Sequence, residues 1–313
     1  MTDHTQNDVY VMIAGPTAAG KSSLALELAE LMDGEIINAD SMQLYADLRI
    51  VTARPDAEEE VRIPHHLYGV VDGGQRASVA AWLEMAAAAI ADVRGRGRIP
   101  VIVGGTGMYL SAGLTGIAPI PDVPDDIHQS CMQDLGNWGG AAFREALGVL
   151  DAETAERLFD GDSQRLVRAM GVVRATGRPI SAWQRDPHQG ALPGTAFTVA
   201  VLPPRQKVYE AIDRRFEKMM EEGAQQEVAR LGARELDPGL PVMKAIGVRE
   251  ILAFQRGEIS RLRAIELASR DSRHYAKRQL TWLRNNFHAQ YMINEKYSKS
   301  IGEEIFSILS KTS

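Results

Sequence analysis

The chain lacks most of the features that would place it in a membrane or an oxidising compartment. It has one cysteine, Cys131, in 313 residues, so it forms no intramolecular disulfide and no cysteine-based zinc site. No run of about 18 apolar residues is present, which excludes a membrane-spanning helix. Residues 1–8 are polar, so we expect no signal peptide. Together with an apolar content of 45%, these absences predict a globular, cytoplasmic protein that is monomeric and has no membrane partner.

A general excess of positive charge is also missing, since the net charge is −6. The charges are nevertheless unevenly distributed. Residues 1–199 carry 15 Lys and Arg against 26 Asp and Glu, whereas residues 200–313 carry 20 against 15. A nucleic-acid backbone needs only a local basic surface. The charge therefore leaves two interpretations open, a solvated helical surface and an RNA-binding one.

Short apolar runs alternate with helical patterns in the first third of the chain. The run at 9–14 ends in a glycine-rich turn and is typical of a buried parallel strand, and further strands are predicted at 35–38 and 101–103. Helical spacing lies between them, at 22–32 and 78–93. This rhythm predicts an α/β fold with a doubly wound parallel sheet flanked by helices, whose carboxyl strand ends form the working edge.

Two proline-rich stretches divide the rest of the chain. Between them, residues 125–194 are helical in pattern and contain few strand signals. A strand is predicted at 197–201, and 205–285 is mostly helical. We therefore predict a core formed by 1–124 and 195–313, with an all-helical insertion domain at 125–194.

The strongest motif follows the first strand and fits G-x-x-x-x-G-K-[ST], the pattern of a P-loop. Its members are Gly15, Pro16, Thr17, Ala18, Ala19, Gly20, Lys21 and Ser22. Backbone N–H groups and the Lys21 charge would bind phosphates, and the Ser22 hydroxyl could ligate Mg²⁺. The third strand ends in Gly104-Gly-Thr106 rather than in a magnesium-binding aspartate, which argues against an ordinary NTPase.

Two further polar residues follow strands at the same edge of the predicted sheet. Asp40 comes just after the second strand and could be a general base, a magnesium ligand or a helix cap. Thr106 follows the third strand between glycines, where its hydroxyl could donate to a leaving oxygen or simply lie in a turn. His65 and His66 are adjacent and have no further ligands at metal-binding spacing, so we assign no metal to them.

The sequence resembles that of a known family, the tRNA dimethylallyltransferases, over nearly the whole chain. Eight blocks in order carry the resemblance: 15–22, 40–45, 52–55, 64–67, 103–109, 162–169, 245–250 and 275–284. The chain ends soon after the last block and lacks a zinc-finger extension, so it resembles the bacterial form.

The resemblance implies a reaction and roles for the candidate residues. The family transfers a dimethylallyl group from dimethylallyl diphosphate to the amino group of the adenosine 3′-adjacent to the anticodon of tRNA, and it requires Mg²⁺. The P-loop would then bind a pyrophosphate leaving group. Asp40 is expected to take the amino proton, Thr106 to contact the bridging oxygen, and Arg215 to close over the pyrophosphate.

The resemblance also implies which residues contact the anticodon stem-loop. The tRNA-binding set is Asp40, Ser41, Met42, Gln43, Thr106, His128, Gln164, Arg165, Leu166, Val167, Arg168, Arg273 and Lys277. In the closing helix, a one-sided basic stripe is predicted from helical spacing and consists of Arg270, Arg273, Lys277 and Arg284. The adenine would leave its stack to reach Asp40.

Three positions depart from the family pattern: Val51 replaces a glycine, Arg54 a lysine, and His128 an arginine. Three other functions compete with the prenyltransferase. A P-loop small-molecule or nucleoside kinase would share the cradle and a carboxylate base. A prenyltransferase acting on free adenine nucleotides would not need the insertion, and a non-catalytic RNA-binding protein would leave Asp40 and Thr106 without a role.

Overall fold

A computed structural model describes residues 8–295 and 299–312 of the chain. These residues form a six-stranded sheet in which every named strand pair is parallel. The strands are β1 (Val9–Ala14), β2 (Gly34–Asn38), β3 (His65–His66), β4 (Ile99–Gly104), β5 (Thr195–Val201) and β6 (Tyr291–Ile293). The parallel sheet confirms the predicted α/β class.

The position of β1 in the sheet determines where a ligand can bind. The strand order is β3-β2-β4-β1-β5-β6, so β1 lies between β4 on one side and β5 on the other. Ile13 of β1 pairs with Val103 of β4 and with Val199 of β5. The strands β2, β3 and β4 are therefore added on one side of β1, and β5 and β6 on the other. The carboxyl end of β1 is thus the topological switch point at which such sheets bind ligands.

Helices cover both faces of the sheet and continue beyond it. Those of the same compact unit are α1 (Lys21–Leu31), α2 (Ala57–Arg62), α3 (Val79–Gly95), α4 (Gly107–Thr115), α9 (Arg205–Glu221), α10 (Ala224–Gly232), α11 (Val248–Gln255), α12 (Arg261–Asn286) and α13 (Lys299–Thr312). Leu24 and Leu28 of α1 are fully buried against Ile13 and Val101 of the sheet. Ser78 begins α3, and its hydroxyl accepts the N–H of Ala81 as an N-cap.

A second compact unit, residues 115–191, is helical and has its own core. It contains α5 (Asp125–Leu150), α6 (Ala152–Arg157), α7 (Ser163–Thr176) and α8 (Ile180–Gln184). Phe143, Leu147 and Met170 are buried in its core. The buried Asp151 carboxylate accepts N–H groups from Thr154 and Ser181, and so joins the starts of α6 and α8.

The bounds of the helical unit differ from the 125–194 of the sequence prediction. The unit begins at residue 115 and ends at 191. The earlier start has a physical reason, because Ile117 exchanges both backbone hydrogen bonds with Gln189 at 2.9 Å. Ile120 and Val123 also pack against the helical core. Among the described residues, none of the helices is both long and apolar enough to cross a membrane.

Candidate active site

The P-loop residues form a tight turn between β1 and α1. Ala18 and Gly20 both have positive φ angles, of 61° and 93°. The value at Gly20 is one that glycine adopts without strain, which explains why this position of the motif is a glycine. Lys21 begins α1 and donates to the Pro16 carbonyl at 2.9 Å, so it folds back over the loop.

Two cations, Lys21 and Arg215, meet at this loop, and burial lowers the pKa of both. Burial lowers the pKa of Lys21 to about 8; the nearby Asp40 raises it and Arg215 lowers it further. Arg215 of α9 donates to the Thr17 hydroxyl at 2.7 Å, and burial also lowers its pKa. Because two partly desolvated cations face one carboxylate, the loop has excess positive charge that a diphosphate could neutralise.

Asp40 is held at the end of β2 by a buried neighbour, Asn38. The Asn38 side chain accepts the Asp40 N–H at 2.8 Å and donates to the Asp40 carbonyl at 2.9 Å. It also donates to the Leu67 carbonyl at 3.0 Å. The Asp40 carboxylate accepts the N–H of Met42, and residues 41–44 form turns rather than a helix, so the helix-cap interpretation of Asp40 is wrong.

Thr106 lies beside the same segment. Its hydroxyl accepts the Ser41 N–H at 3.0 Å and donates to the Ser41 hydroxyl at 3.3 Å. Burial, together with the Asp40 charge, raises the pKa of the neighbouring Tyr275, while hydrogen bonds to Thr106 and Gln279 lower it. The hydroxyls of Thr106 and Tyr275 thus lie with Asp40 in one polar cluster.

Gln43 contacts a loop whose backbone is bound by a carboxylate about 177 residues later in the chain. Its side-chain amide donates to the carbonyls of Thr52 and Ala53 at 2.9 and 2.8 Å. The Glu227 carboxylate of α10 accepts three successive backbone N–H groups just before Thr52, at 2.6, 2.9 and 2.9 Å. Glu227 is 4% exposed, so it lies within the protein and orders the 49–51 segment.

Two adjacent cavities meet at Asp40 and Arg215, two of the three predicted catalytic residues, whereas Thr106 lines neither of them. A cavity of about 120 Å³ is lined by the P-loop, and a second of about 330 Å³ lies beside it. They share Thr17, Asp40, Thr52 and Arg215. The second has an apolar wall that includes Val51, Phe216, Met219 and Ile246. This arrangement suits a ligand with a charged phosphate end and an apolar end.

The described residues contain no cluster of three or more His, Cys, Asp or Glu that could hold a metal by itself. Ser22 and Asp40 both line the phosphate cavity. Mg²⁺ commonly binds to one or two protein oxygens and to substrate phosphates. These two oxygen-bearing side chains therefore fit a magnesium ion that a diphosphate would help to bind. The two histidines lie elsewhere, His65 on the Ile63 carbonyl and His66 on Glu35.

The predicted tRNA residues of the helical unit fall into two groups. Leu166 and Val167 are buried in its core, so their side chains are unavailable to RNA. The others lie at its surface: His128, Gln164 and Arg165 are exposed, and Arg168 is half-buried. Arg165 pairs with Asp162 at 3.4 Å, and Arg168 donates to the Pro121 carbonyl at 3.3 Å.

The predicted basic stripe on α12 is partly neutralised within the chain. Arg273 is paired with Asp213, and Arg270 is paired with Asp271. Lys277 is exposed and lines an open groove of about 530 Å³ together with Arg278. Arg278 also lines the cavity beside Asp40, so the groove and this cavity have one cation in common.

Comparisons with known proteins show the family of this chain. The family described as IPP transferase matches residues 43–286, and the Isopentenyl transferase family matches residues 7–69. A relative from Parvibaculum lavamentivorans, named tRNA dimethylallyltransferase, is 45% identical over 96% of this chain and 95% of its own. The chain belongs to the IPP transferase family. A relative of the same name from Phenylobacterium zucineum is 51% identical over 87% of this chain and 88% of its own.

Solved structures of the IPP transferase family have the same fold. The tRNA isopentenylpyrophosphate transferase of Bacillus halodurans is 30% identical, with a TM-score of 0.69 over 97% of this chain and 96% of its own. A eukaryotic dimethylallyltransferase acting on tRNA is 27% identical, with a TM-score of 0.74 over 88% of this chain and 70% of its own. These likenesses confirm the predicted P-loop-like core.

Sequence reasoning missed three residues that support the IPP transferase site: Asn38, Glu227 and Gln279. Glu227 had a signal in the sequence, because it lies three residues after Ala224 and one before Val228, on the buried face of α10. A carboxylate at such a position requires a buried partner. The partners of Gln279 are 174 and 262 residues away, and no local pattern indicates them.

Proposed function

We propose that this chain transfers a dimethylallyl group from dimethylallyl diphosphate to the exocyclic amino group of the adenosine 3′-adjacent to the anticodon in tRNA, releasing pyrophosphate. The observation that supports it most directly is the junction of the two cavities at Asp40 and Arg215. One cavity has the charge to bind a diphosphate, and the other has room and an apolar wall for the reacting groups. The relatives are named tRNA dimethylallyltransferase, which supports the transfer of a dimethylallyl group to tRNA.

The chemistry needs a base on one side and charge stabilisation on the other. A bond forms between the adenine amino nitrogen and the first carbon of the allyl group, while the bond from that carbon to the bridging oxygen breaks. The electron pair of that bond leaves with pyrophosphate. Asp40 takes the amino proton, which matters because the nitrogen lone pair is otherwise delocalised into the ring. Lys21, Arg215 and the P-loop N–H groups stabilise the departing charge.

Magnesium is part of this proposal. Ser22, which lines the phosphate cavity, would hold it together with oxygens of the diphosphate. When bound, the ion would offset the negative charge that develops on the leaving group. A cytoplasmic location and a monomeric state remain predictions, the first supported by the tRNA substrate that the relatives' names give.

The competing kinase has less support. It would use the same cradle and the same carboxylate, but the relatives at 45–51% identity are named for prenyl transfer to tRNA. The two candidates differ in their products. Purified protein incubated with labelled dimethylallyl diphosphate, Mg²⁺ and unmodified tRNA should label the tRNA. Absence of label, with ATP-dependent phosphorylation of a metabolite, would favour the kinase.

Replacement of Asp40 tests the base directly. Asp40→Ala should lower kcat by about 10²- to 10⁴-fold, the usual contribution of a general base, and change tRNA affinity little. Single-turnover transfer and equilibrium tRNA binding measure the two effects. Asp40→Asn should behave alike, because it retains the shape but cannot take a proton. Asp56→Asn serves as the control, since it keeps an exposed N-cap of α2 and should be unchanged. Preserved chemistry with lost tRNA binding would show that Asp40 has another role.

A further inference from the structure

One buried side chain of α12 contacts both loops that form the candidate site. Gln279 is 6% exposed. Its side-chain oxygen accepts the backbone N–H of Thr17 in the P-loop at 2.9 Å, and its side-chain nitrogen donates to the carbonyl of Gly105 at 2.8 Å. Gly105 directly precedes Thr106. A single amide thus joins the phosphate cradle to the segment that carries Thr106.

The orientation of this amide is determined by its partners. A backbone N–H only donates and a backbone carbonyl only accepts, so the opposite orientation of the amide would break both hydrogen bonds. A glutamate at 279 could accept from Thr17 but could not donate to Gly105. A methionine of similar length could do neither.

The amide packs closely against the backbone of Gly105. A Cβ on Gly105 would lie 2.4 Å from the Gln279 side-chain nitrogen and 2.9 Å from the Gly15 carbonyl oxygen. Glycine at 105 is therefore needed for the amide to reach the loop. Tyr275, one turn earlier on α12, contacts Thr106 and Gln279 through its hydroxyl. The helix, the cradle and the Thr106 segment consequently meet around one side chain.

We propose that Gln279 is a positioning residue that sets the distance between the diphosphate cradle and Thr106, and that the Thr17 N–H, bound to Gln279, is not a phosphate donor. This inference rests on the proposed function. The phosphate-binding N–H groups of the cradle would then begin at Ala18. The Thr17 hydroxyl has a separate task, since it accepts from Arg215.

The test measures diphosphate binding separately from catalysis. In Gln279→Met the affinity for inorganic pyrophosphate with Mg²⁺, measured by calorimetry, should fall about 10-fold. A change of this size corresponds to the usual free-energy contribution of one buried hydrogen bond. The KM for dimethylallyl diphosphate should rise and kcat should fall, because Thr106 is displaced as well. Affinity for tRNA should change less than about twofold. Gln279→Glu, which keeps the shape, should weaken pyrophosphate binding in the same direction.

Gln290→Ala is the matched control. Gln290 also accepts a backbone N–H through its side chain, that of Thr198 at 2.8 Å, but it lies outside both cavities. It should lower stability without changing pyrophosphate affinity. Wild-type pyrophosphate affinity and donor KM in both Gln279 variants would overturn the proposal, even if their melting temperatures fall. If instead the wild-type protein binds pyrophosphate but transfers no label to tRNA, the proposed function fails and the positioning role does not.

Discussion

Lys21 has a charge that changes within an accessible pH range. Its pKa in the free protein is about 8, because burial disfavours the charged form and Arg215 adds to that effect, while Asp40 opposes it. A bound diphosphate favours the protonated lysine, so its pKa in the complex is higher. Binding should therefore be tightest below pH 8 and weaken by up to about tenfold per pH unit above it, until the pKa of the complex is reached.

Calorimetric titration with inorganic pyrophosphate between pH 7 and pH 9.5 would measure this dependence. Pyrophosphate itself loses a proton at alkaline pH, so the wild-type affinity at each pH is divided by that of Lys21→Arg. The guanidinium of the Lys21→Arg variant stays charged throughout, so the affinity of this variant changes with pH only because of the ligand. A ratio that stays constant across the range would mean that Lys21 keeps its proton in the free protein.

The loop between residues 49 and 53 depends on α10 for its conformation. Three successive backbone N–H groups of the loop bind the Glu227 carboxylate, and Ala53 has a positive φ of 54°, which is unfavourable for a residue with a side chain. We expect Glu227→Ala to lower the free energy of unfolding by about 2–4 kcal/mol, because it leaves buried N–H groups without an acceptor.

Urea denaturation measures that loss, with Glu221→Ala as the control. Glu221 is an exposed residue at the end of α9, and its replacement should change the free energy of unfolding by less than about 0.5 kcal/mol. The KM for the diphosphate donor should also rise in Glu227→Ala, since Thr52 lines both cavities. A variant as stable as the wild type would indicate that the loop holds its conformation without the carboxylate.

The elements that sequence reasoning predicts are those with a local cause. The interior strands β1, β4 and β5 are mainly apolar because both of their faces are buried, and their runs are visible in the sequence, whereas the interior strand β2 has only the pair Ile36-Ile37 between the buried polar residues Glu35 and Asn38. The edge strands β3 and β6 have only two and three residues. Each is paired with one neighbouring strand, so its existence depends on tertiary contact rather than on an apolar run.

The same distinction applies to the site. The P-loop was predictable because its glycines and its lysine are adjacent in the chain, and Asp40 and Thr106 because they follow strands of one sheet. The interactions that hold these residues in place were not predictable. Glu227 binds a loop about 177 residues away, and Gln279 binds Thr17 across 262 residues. Such pairs become visible only once the chain is folded.

At the scale of the whole molecule, the two compact units carry different parts of the proposed function. The cradle, Asp40, Thr106 and Arg215 all belong to residues 1–114 and 192–313. The helical unit carries the predicted tRNA residues His128, Gln164, Arg165 and Arg168, and no part of either cavity beside Asp40. Each unit has its own buried core. Binding of the diphosphate should therefore be separable from binding of the tRNA.

Excision of the helical unit tests this separation. The N–H of Leu192 donates to the carbonyl of Gly113 at 2.9 Å, so the two ends of the larger unit lie together and a short glycine–serine linker can replace residues 116–190. The shortened protein should bind inorganic pyrophosphate with Mg²⁺ within about threefold of the intact chain. Its affinity for tRNA, measured at one fixed salt concentration, should fall about tenfold or more, because phosphate contacts are lost.

Two point variants of the intact chain separate this effect from damage caused by the excision. Arg165→Ala removes an exposed cation of the predicted tRNA segment, whereas Arg185→Ala removes one that pairs with Glu153 outside that segment. Only the first should weaken tRNA binding and make it less dependent on salt, with the logarithmic slope falling by about one unit. If the shortened protein binds tRNA as the intact chain does, and Arg165→Ala has no effect, recognition of tRNA belongs to the larger unit, and the exposed cations of α12 become the residues to replace next.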